Sequence, residues 1–223
     1  MNVTAIVPVY NGSRYLGAAL ASVHEQTVPV AEVIVVDDGS TDGSYELAES
    51  LGARCLRQDH AGIGAARNLG VRHARGELLG FLDADDLWAP DKLEVQLRVL
   101  DRSSEVDAVL GYVQQFVSPD LSPAERASLT CPDEPQPPGV AGAMLIRRPA
   151  FERTGGFGEE WRVAEFLDWY ARAVDLGVRF ETVPDVVLRR RLHRSNTTRE
   201  RSDERGVYLD VLKAALDRRR ATA

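Results

Sequence analysis

Cysteine is scarce in this 223-residue chain: Cys55 and Cys131 are the only two, with no CxxC or Cys/His spacing around them. Neither a disulfide framework nor a zinc site is suggested, and a reducing, cytoplasmic setting fits. Long apolar runs are also missing. No segment approaches the ~18 apolar residues of a membrane span, and no charged-then-apolar leader opens the chain. Positive charge is short overall, with 27 Lys and Arg against 34 Asp and Glu, a net charge of -7 and a pI of 5.2. That balance argues against a general nucleic-acid-binding role. The deficit is uneven, because Arg189-Arg190-Arg191, Arg194 and Arg218-Arg219-Arg220 make the last quarter basic. Such runs suit a phosphorylated ligand, an acidic membrane surface or a plain solvated face.

What the chain does have is alternation. Val3 to Val9, Glu32 to Val36, Ala53 to Gln58 and Leu78 to Leu82 read as strands. Between them, Ser13 to Gln26, Gly43 to Leu51 (Asp42 as N-cap) and Ile63 to Ala74 read as helices. Repeated β-α-β units predict an α/β fold with a Rossmann-like, mostly parallel sheet and right-handed crossovers. Further on, helices are expected at Pro90 to Leu100, Pro149 to Thr154, Glu165 to Leu176 and Asp203 to Arg220. Strands are expected at Asp107 to Val117, Val140 to Ile146 and Phe180 to Leu192. Residues 118–139 hold six of the chain's 11 prolines and are read as one long irregular loop, a lid or binding segment. One domain is expected, in three parts: residues 1–117, an acceptor-side half at 118–202, and a closing helix at 203–223.

The fourth strand ends in Phe81-Leu82-Asp83-Ala84-Asp85-Asp86, a carboxylate-rich tip. Ligands of open α/β sheets lie outside the carboxyl ends of strands, where such a tip could hold a hard divalent ion. A turn or helix cap is the plainer reading. Three other stretches keep it company: Val7-Pro8-Val9-Tyr10-Asn11-Gly12, Val35-Val36-Asp37-Asp38-Gly39-Ser40-Thr41-Asp42, and Gly62-Ile63-Gly64-Ala65-Ala66-Arg67-Asn68-Leu69-Gly70. In this order and spacing the sequence resembles the family-2 glycosyltransferases, inverting enzymes of the GT-A fold. The likeness covers about the first ninety residues and continues loosely through Arg153-Thr154-Gly155-Gly156-Phe157 and Arg191-Leu192-His193.

The resemblance implies transfer of one sugar from a nucleoside diphosphate sugar to an acceptor hydroxyl, with Mg²⁺ or Mn²⁺ on the diphosphate. Pro8 and Val9 would lead Tyr10 and Asn11 to the base. Asp37 is expected to accept from a uracil or thymine ring or from ribose, whereas Asp38 serves either the nucleoside or its own turn. Gly62 would let the backbone approach the donor. Arg67 would reach a base carbonyl or diphosphate oxygen, or else form a surface salt bridge. Asn68 is expected to cap or orient. The family pattern makes Asp85 the direct metal ligand and gives Asp83 the ribose or a metal-bound water, with Ala84 between them. His193 would complete the metal shell or touch the diphosphate, or be structural, and Arg191 would bind phosphate oxygens. His24, His60 and His73 are expected to lack partners and to be non-catalytic. Trp161 and Trp169 line an acceptor wall or belong to the core.

One departure stands out. Relatives open a helix with a Glu-Asp pair whose aspartate deprotonates the acceptor, and here the text is Glu165-Phe166-Leu167-Asp168-Trp169-Tyr170-Ala171-Arg172. Phe166 falls where that aspartate sits. Glu165 becomes the expected base, with Asp168 in reserve or paired to Arg172. A donor-binding pseudo-transferase is the alternative. A sugar nucleotidyltransferase would want a Gly-rich, Lys-bearing loop after strand one, which Tyr10 to Arg14 does not supply. The acceptor, whether small molecule, peptide or glycan precursor, and the state of assembly, homodimer included, stay open.

Overall fold

The computed structural model of the protein describes residues 1–161, 163–194, 196 and 205–222. The first half is built from β1 (Val3–Val9), α1 (Ser13–His24), β2 (Glu32–Asp37), α2 (Ser44–Ser50), β3 (Arg54–Arg57), α3 (Ile63–His73) and β4 (Leu78–Phe81). There follow β5 (Leu87–Trp88), α4 (Lys92–Arg102), β6 (Ala108–Val117), α5 (Pro123–Ala127), a 3₁₀ turn at Ala141–Ala143, and β7 (Met144–Arg147). The chain closes with α6 (Arg148–Arg153), α7 (Glu165–Asp175), β8 (Phe180–Leu192) and α8 (Arg205–Thr222). Eight strands form one sheet in the order β3-β2-β1-β4-β7-β6-β8-β5.

β1 pairs in parallel with β2 and β4, and β2 with β3. β7 is antiparallel to both β4 and β6, which makes β6 and its parallel neighbour β8 run in the same sense as β4. The sheet is therefore mixed, but β1, β2, β4, β6 and β8 all present their carboxyl ends at one edge. That edge is where an α/β sheet offers a ligand site.

Strands covered on both faces must be apolar throughout, and every residue of β1 and β4 is buried. Their side chains alternate between two core clusters. Val3, Ala5 and Val7 pack with Leu16, Leu20, Leu93 and Leu100 on the α1 and α4 side. Ile6, Ile34 and Phe81 pack with Ala66, Phe151 and Trp169 on the α3, α6 and α7 side. Trp169 pins α7 there: its ring stacks on Phe151 and Phe166, and its Nε1 donates to Thr154 Oγ1 at 2.6 Å. Gly64 in α3 has no room for a side chain, because a Cβ would stand 2.8 Å from the Gly158 carbonyl oxygen. The loop through Gly155-Gly156-Phe157-Gly158 can thus lie directly on α3.

Several expectations need correction. Asp42 is not the N-cap of α2; Gly43 holds that position with φ of 85°, and Asp42 instead accepts from Ser44 N and, with its other oxygen, from Ser13 N. Residues 118–139 are not wholly irregular. Ser122-Pro123-Ala124-Glu125 forms a reciprocal capping box that starts α5, and Gln136 bridges to Val113. The strand expected from Val140 begins instead with the 3₁₀ turn at Ala141–Ala143. The closing helix runs from Arg205, and the first residues expected for it, Asp203 and Glu204, lie outside the described residues. Among the described residues no helix is long and apolar enough to cross a membrane.

Candidate active site

At the β1–β2 edge the chain builds a small aromatic and carboxylate platform. Tyr10 is half exposed, and its ring stacks on His60 at 4.1 Å between centroids. Asn11, at φ of 50°, turns its side chain to accept from Thr41 N at 2.9 Å, which ties the two strand ends together. Asp37 is fully buried; one oxygen accepts from Ser40 N and the other from Arg57 Nε. Asp38 accepts from Gln58 Nε2, Ala61 N and Gly62 N, so it carries the turn role and shapes the backbone at Gly62, where φ is 98°. Pro8 and Val9 hold their register against Val36 and Asp37.

His60 corrects the sequence reading, which left it without partners. Its Nδ1 faces two acceptors, Asp38 Oδ2 at 2.9 Å and Asp38 O at 3.2 Å, so Nδ1 carries the proton. No motif marks this histidine; the signal was its place two residues before Gly62.

At the β4 tip the carboxylates of Asp83 and Asp85 are each about one-third exposed, whereas Asp86 is buried. Asp85 Oδ2 stands 2.9 Å from His193 Nε2 and 3.3 Å from Asn196 Nδ2. Asp86 accepts from Arg191 N at 2.8 Å, and Arg191 Nε donates to Asp85 O at 2.8 Å. Burial, then the Asp85 and Asp83 charges beside it, holds the Asp86 carboxyl well above the usual carboxylate range. Asp86 is thus a strut between β4 and β8. Arg191 is sandwiched between Tyr15 and Phe116, 4.7 and 4.8 Å from their ring centres. Tyr15 also packs on His193 at 4.8 Å, and its hydroxyl reaches Asp120 at 3.3 Å. Arg14 pairs with the same carboxylate, so the start of the Pro-rich loop is fastened over the tip. Tyr15 and Asn196 were not legible as site residues in the sequence.

A divalent cation fits the tip in a particular way. Among the described residues no three His, Cys, Asp or Glu side chains converge into a closed cage. An open arrangement of one or two carboxylates suits Mg²⁺ or Mn²⁺, ions that complete their shells with water and phosphate oxygens.

On the other side of the tip lies the start of α7. Glu165 is buried and ion-paired with Arg67 Nη1, while Arg67 Nη2 binds Asp83 Oδ1 at 2.5 Å. Arg67 is 1% exposed, so neither the surface salt bridge nor an open donor contact describes it. Burial alone would lower its pKa, but the charges of Asp83 and Glu165 outweigh that and raise it, keeping the guanidinium charged. Asn68, expected to cap or orient, donates to Phe157 O and accepts from Phe157 N, both at 2.9 Å.

Phe166 belongs to the core against Trp169 and Tyr170. Asp168 is committed to Arg172 at 2.9 Å and to Arg218 of α8 at 3.0 Å, on a polar cavity of about 380 Å³ lined also by Asn68, Phe157 and Glu159. Trp169 is core and Trp161 half-buried. Of the expected acids of α7, Glu165 alone joins the carboxylate tip.

Comparison with known proteins gives the family and the fold. The sequence model described as Glycosyl transferase family 2 matches residues 4–156. An uncharacterized glycosyltransferase of Rickettsia typhi is 31% identical over 214 residues, 88% of this chain and 65% of that protein. Among solved structures, S. aureus TarS 1–349 in complex with UDP-GlcNAc superposes with a TM-score of 0.70 at 23% identity, over 88% of this chain and 60% of that one. The mannosyltransferase PcManGT from Pyrobaculum calidifontis, in complex with GDP-Man and Mn²⁺, gives 0.68 at 24% identity, over 87% and 58%. These likenesses show the GT-A fold. The chain spans about three-fifths to two-thirds of the length of these three proteins.

Proposed function

The chain belongs to glycosyl transferase family 2, and we propose that it acts as a glycosyltransferase that moves one sugar, with inversion, from a nucleoside diphosphate sugar to an acceptor hydroxyl. The observation that carries this reading is the meeting of three elements at one sheet edge. They are the Tyr10–His60 stack, the Asp83–Asp85 tip with His193, and Glu165 joined to that tip through Arg67.

Tyr10 offers a ring face to the base, with Asn11 beside it. Uridine or thymidine is favoured as the nucleoside. UDP-GlcNAc in TarS and GDP-Man in PcManGT support a nucleoside diphosphate sugar as the donor class. Asp83 holds ribose or a metal-bound water. Asp85 and His193 would hold Mg²⁺ or Mn²⁺, with Arg191 behind them. When bound, that ion offsets the negative charge developing on the departing diphosphate. Glu165 takes the proton from the acceptor oxygen as that oxygen attacks the anomeric carbon from the face opposite the leaving group. The acceptor is a small molecule, peptide or glycan precursor rather than nucleic acid, in keeping with the acidic chain.

A thermal-shift screen of UDP-, TDP- and GDP-sugars with and without Mn²⁺ tests the donor assignment. A ligand at 100 times its dissociation constant adds about 2.7 kcal/mol of stability. A Mn²⁺-dependent rise with one nucleotide class is expected; no shift with any of them would overturn the reading.

A further inference from the structure

Both terminal nitrogens of Arg67 are taken by carboxylates from opposite sides of the site. Nη1 binds Glu165, 98 residues away at the start of α7, and Nη2 binds Asp83, 16 residues away at the end of β4. The face of the guanidinium lies over the Phe157 ring, 5.3 Å from its centre, and Nε is buried with no hydrogen-bond partner among the described residues. The side chain is therefore sealed rather than turned to a ligand. Burying a guanidinium between two acids costs several kcal/mol of desolvation and is recovered only through well-made ion pairs. A hydrophobic residue would fill the same space at less risk, so the geometry asks what the charge accomplishes.

The two acids sit on adjacent nitrogens of one rigid plane, which fixes their separation and relative direction in a way that a point charge cannot. α3 is itself immobilised, because Gly64 lies against the Gly158 carbonyl and Gly70 leaves no space beside Ile6. Asn68, next along α3, clamps Phe157 on both its N–H and its carbonyl. One helix thus sets β4, the glycine loop and α7 against a common reference. We infer that Arg67 is a positioning residue: it does not bind the donor but places the carboxylate of Glu165 at a fixed distance from the donor-side tip at Asp83. This inference rests on the assignment of Glu165 as the base.

The test uses the full chain as wild type, Arg67→Lys, Arg67→Met, Glu165→Gln and the double variant Arg67→Met/Glu165→Gln. Two quantities are measured: the dissociation constants of UDP and GDP with Mn²⁺ by titration calorimetry, and kcat and KM for hydrolysis of whichever UDP-, TDP- or GDP-sugar the wild type cleaves fastest. Arg67→Lys keeps a cation but cannot span two acids. It is expected to lose about 100-fold in kcat, as misplacement by an ångström can cost, with KM and nucleotide affinity within about threefold of wild type on the same argument. Arg67→Met should add nothing to Glu165→Gln in the double variant, because residues acting through one another are non-additive.

A tenfold weaker nucleotide affinity in Arg67→Lys with kcat intact would show that Arg67 touches the donor and would overturn the inference. So would a wild-type kcat in Arg67→Lys, or full additivity in the double variant. If Arg67→Met fails to fold, Arg67→Lys decides. A wild type that binds neither nucleotide and cleaves none of the three sugar nucleotides overturns the function proposed above and this inference with it, and Glu165→Gln with wild-type kcat overturns the assignment of Glu165 as the base and, with it, this inference. A failure in Arg67→Lys alone leaves the proposed function standing.

Discussion

The imidazole of His193 and the carboxylate of Asp85 meet at 2.9 Å across 108 residues of sequence. They do so because β4 and β8 end at the same sheet edge and are stitched there by Asp86 and Arg191. Asn196 braces both sides of the contact, accepting from His193 N and donating to Asp85.

From this pair follows a prediction about nucleotide binding. Asp85→Ala is expected to remove the part of UDP or GDP affinity that depends on Mn²⁺. His193→Ala should weaken it about 10- to 100-fold, the range for residues that complete or support a metal shell. Titration calorimetry with Mn²⁺ and with EDTA checks both. Equal affinities under the two conditions in the wild type would remove the metal from the account.

Phe166 yields a second expectation. Placing there the aspartate that the family resemblance implies would put a carboxylate against the rings of Trp169 and Tyr170. An unpaired buried charge costs several kcal/mol. Phe166→Asp should therefore melt well below the wild type and gain no donor hydrolysis. A variant that melts normally and hydrolyses faster would mean that this side chain faces the cleft.

Lys92 gives a prediction in pH. Its amine is fully buried and donates to Gln96 Oε1 at 2.7 Å and Met144 O at 3.3 Å, and among the described residues no carboxylate pairs with it. Burial pushes the amine well below the usual lysine range. The unfolded chain keeps its proton up to about pH 10.4 while the folded chain has already lost it, so unfolding takes up a proton in that window. The contribution of Lys92 to stability accordingly rises with pH towards that limit, by up to about 1.4 kcal/mol per unit. Urea unfolding of wild type and Lys92→Met at pH 7, 8 and 9 should show the difference in stability, wild type minus variant, increasing with pH. A difference that stays constant would contradict the burial.

The anchor of α7 can be weighed in the same way. Trp169→Ala removes a buried ring from between Phe151 and Phe166 and leaves Thr154 Oγ1 without its donor. A loss of about 3–5 kcal/mol is expected from the cavity alone, read by denaturant midpoint.

The β-α-β half was legible because its strands are buried on both faces and read as unbroken apolar runs. β1, β2 and β4 lie within one residue of their expected ends. The position of the Asp83–Asp85 tip at the carboxyl edge of the sheet was legible as well, since it directly follows the apolar strand β4; its chemistry was not, because an acidic tip can equally be a turn or a cap. β5 was not, because a two-residue strand that pairs with β8 a hundred residues later leaves no periodic trace. α5 could have been found, as Ser122 and Glu125 spell a capping box, but the surrounding prolines concealed it. The double pairing of Arg67 was beyond reach: a motif names the arginine, and only the folded chain shows which acids arrive at it.

The central claim, a metal-assisted transferase whose base is Glu165, is met most directly by following nucleoside diphosphate release from a sugar nucleotide with Mn²⁺ or with EDTA. The account predicts release by the wild type with Mn²⁺ only, none by Asp85→Ala, and at least a 100-fold slower rate in Glu165→Gln, as loss of a general base typically costs. Release that is indifferent to EDTA, or undiminished in Glu165→Gln, would contradict it.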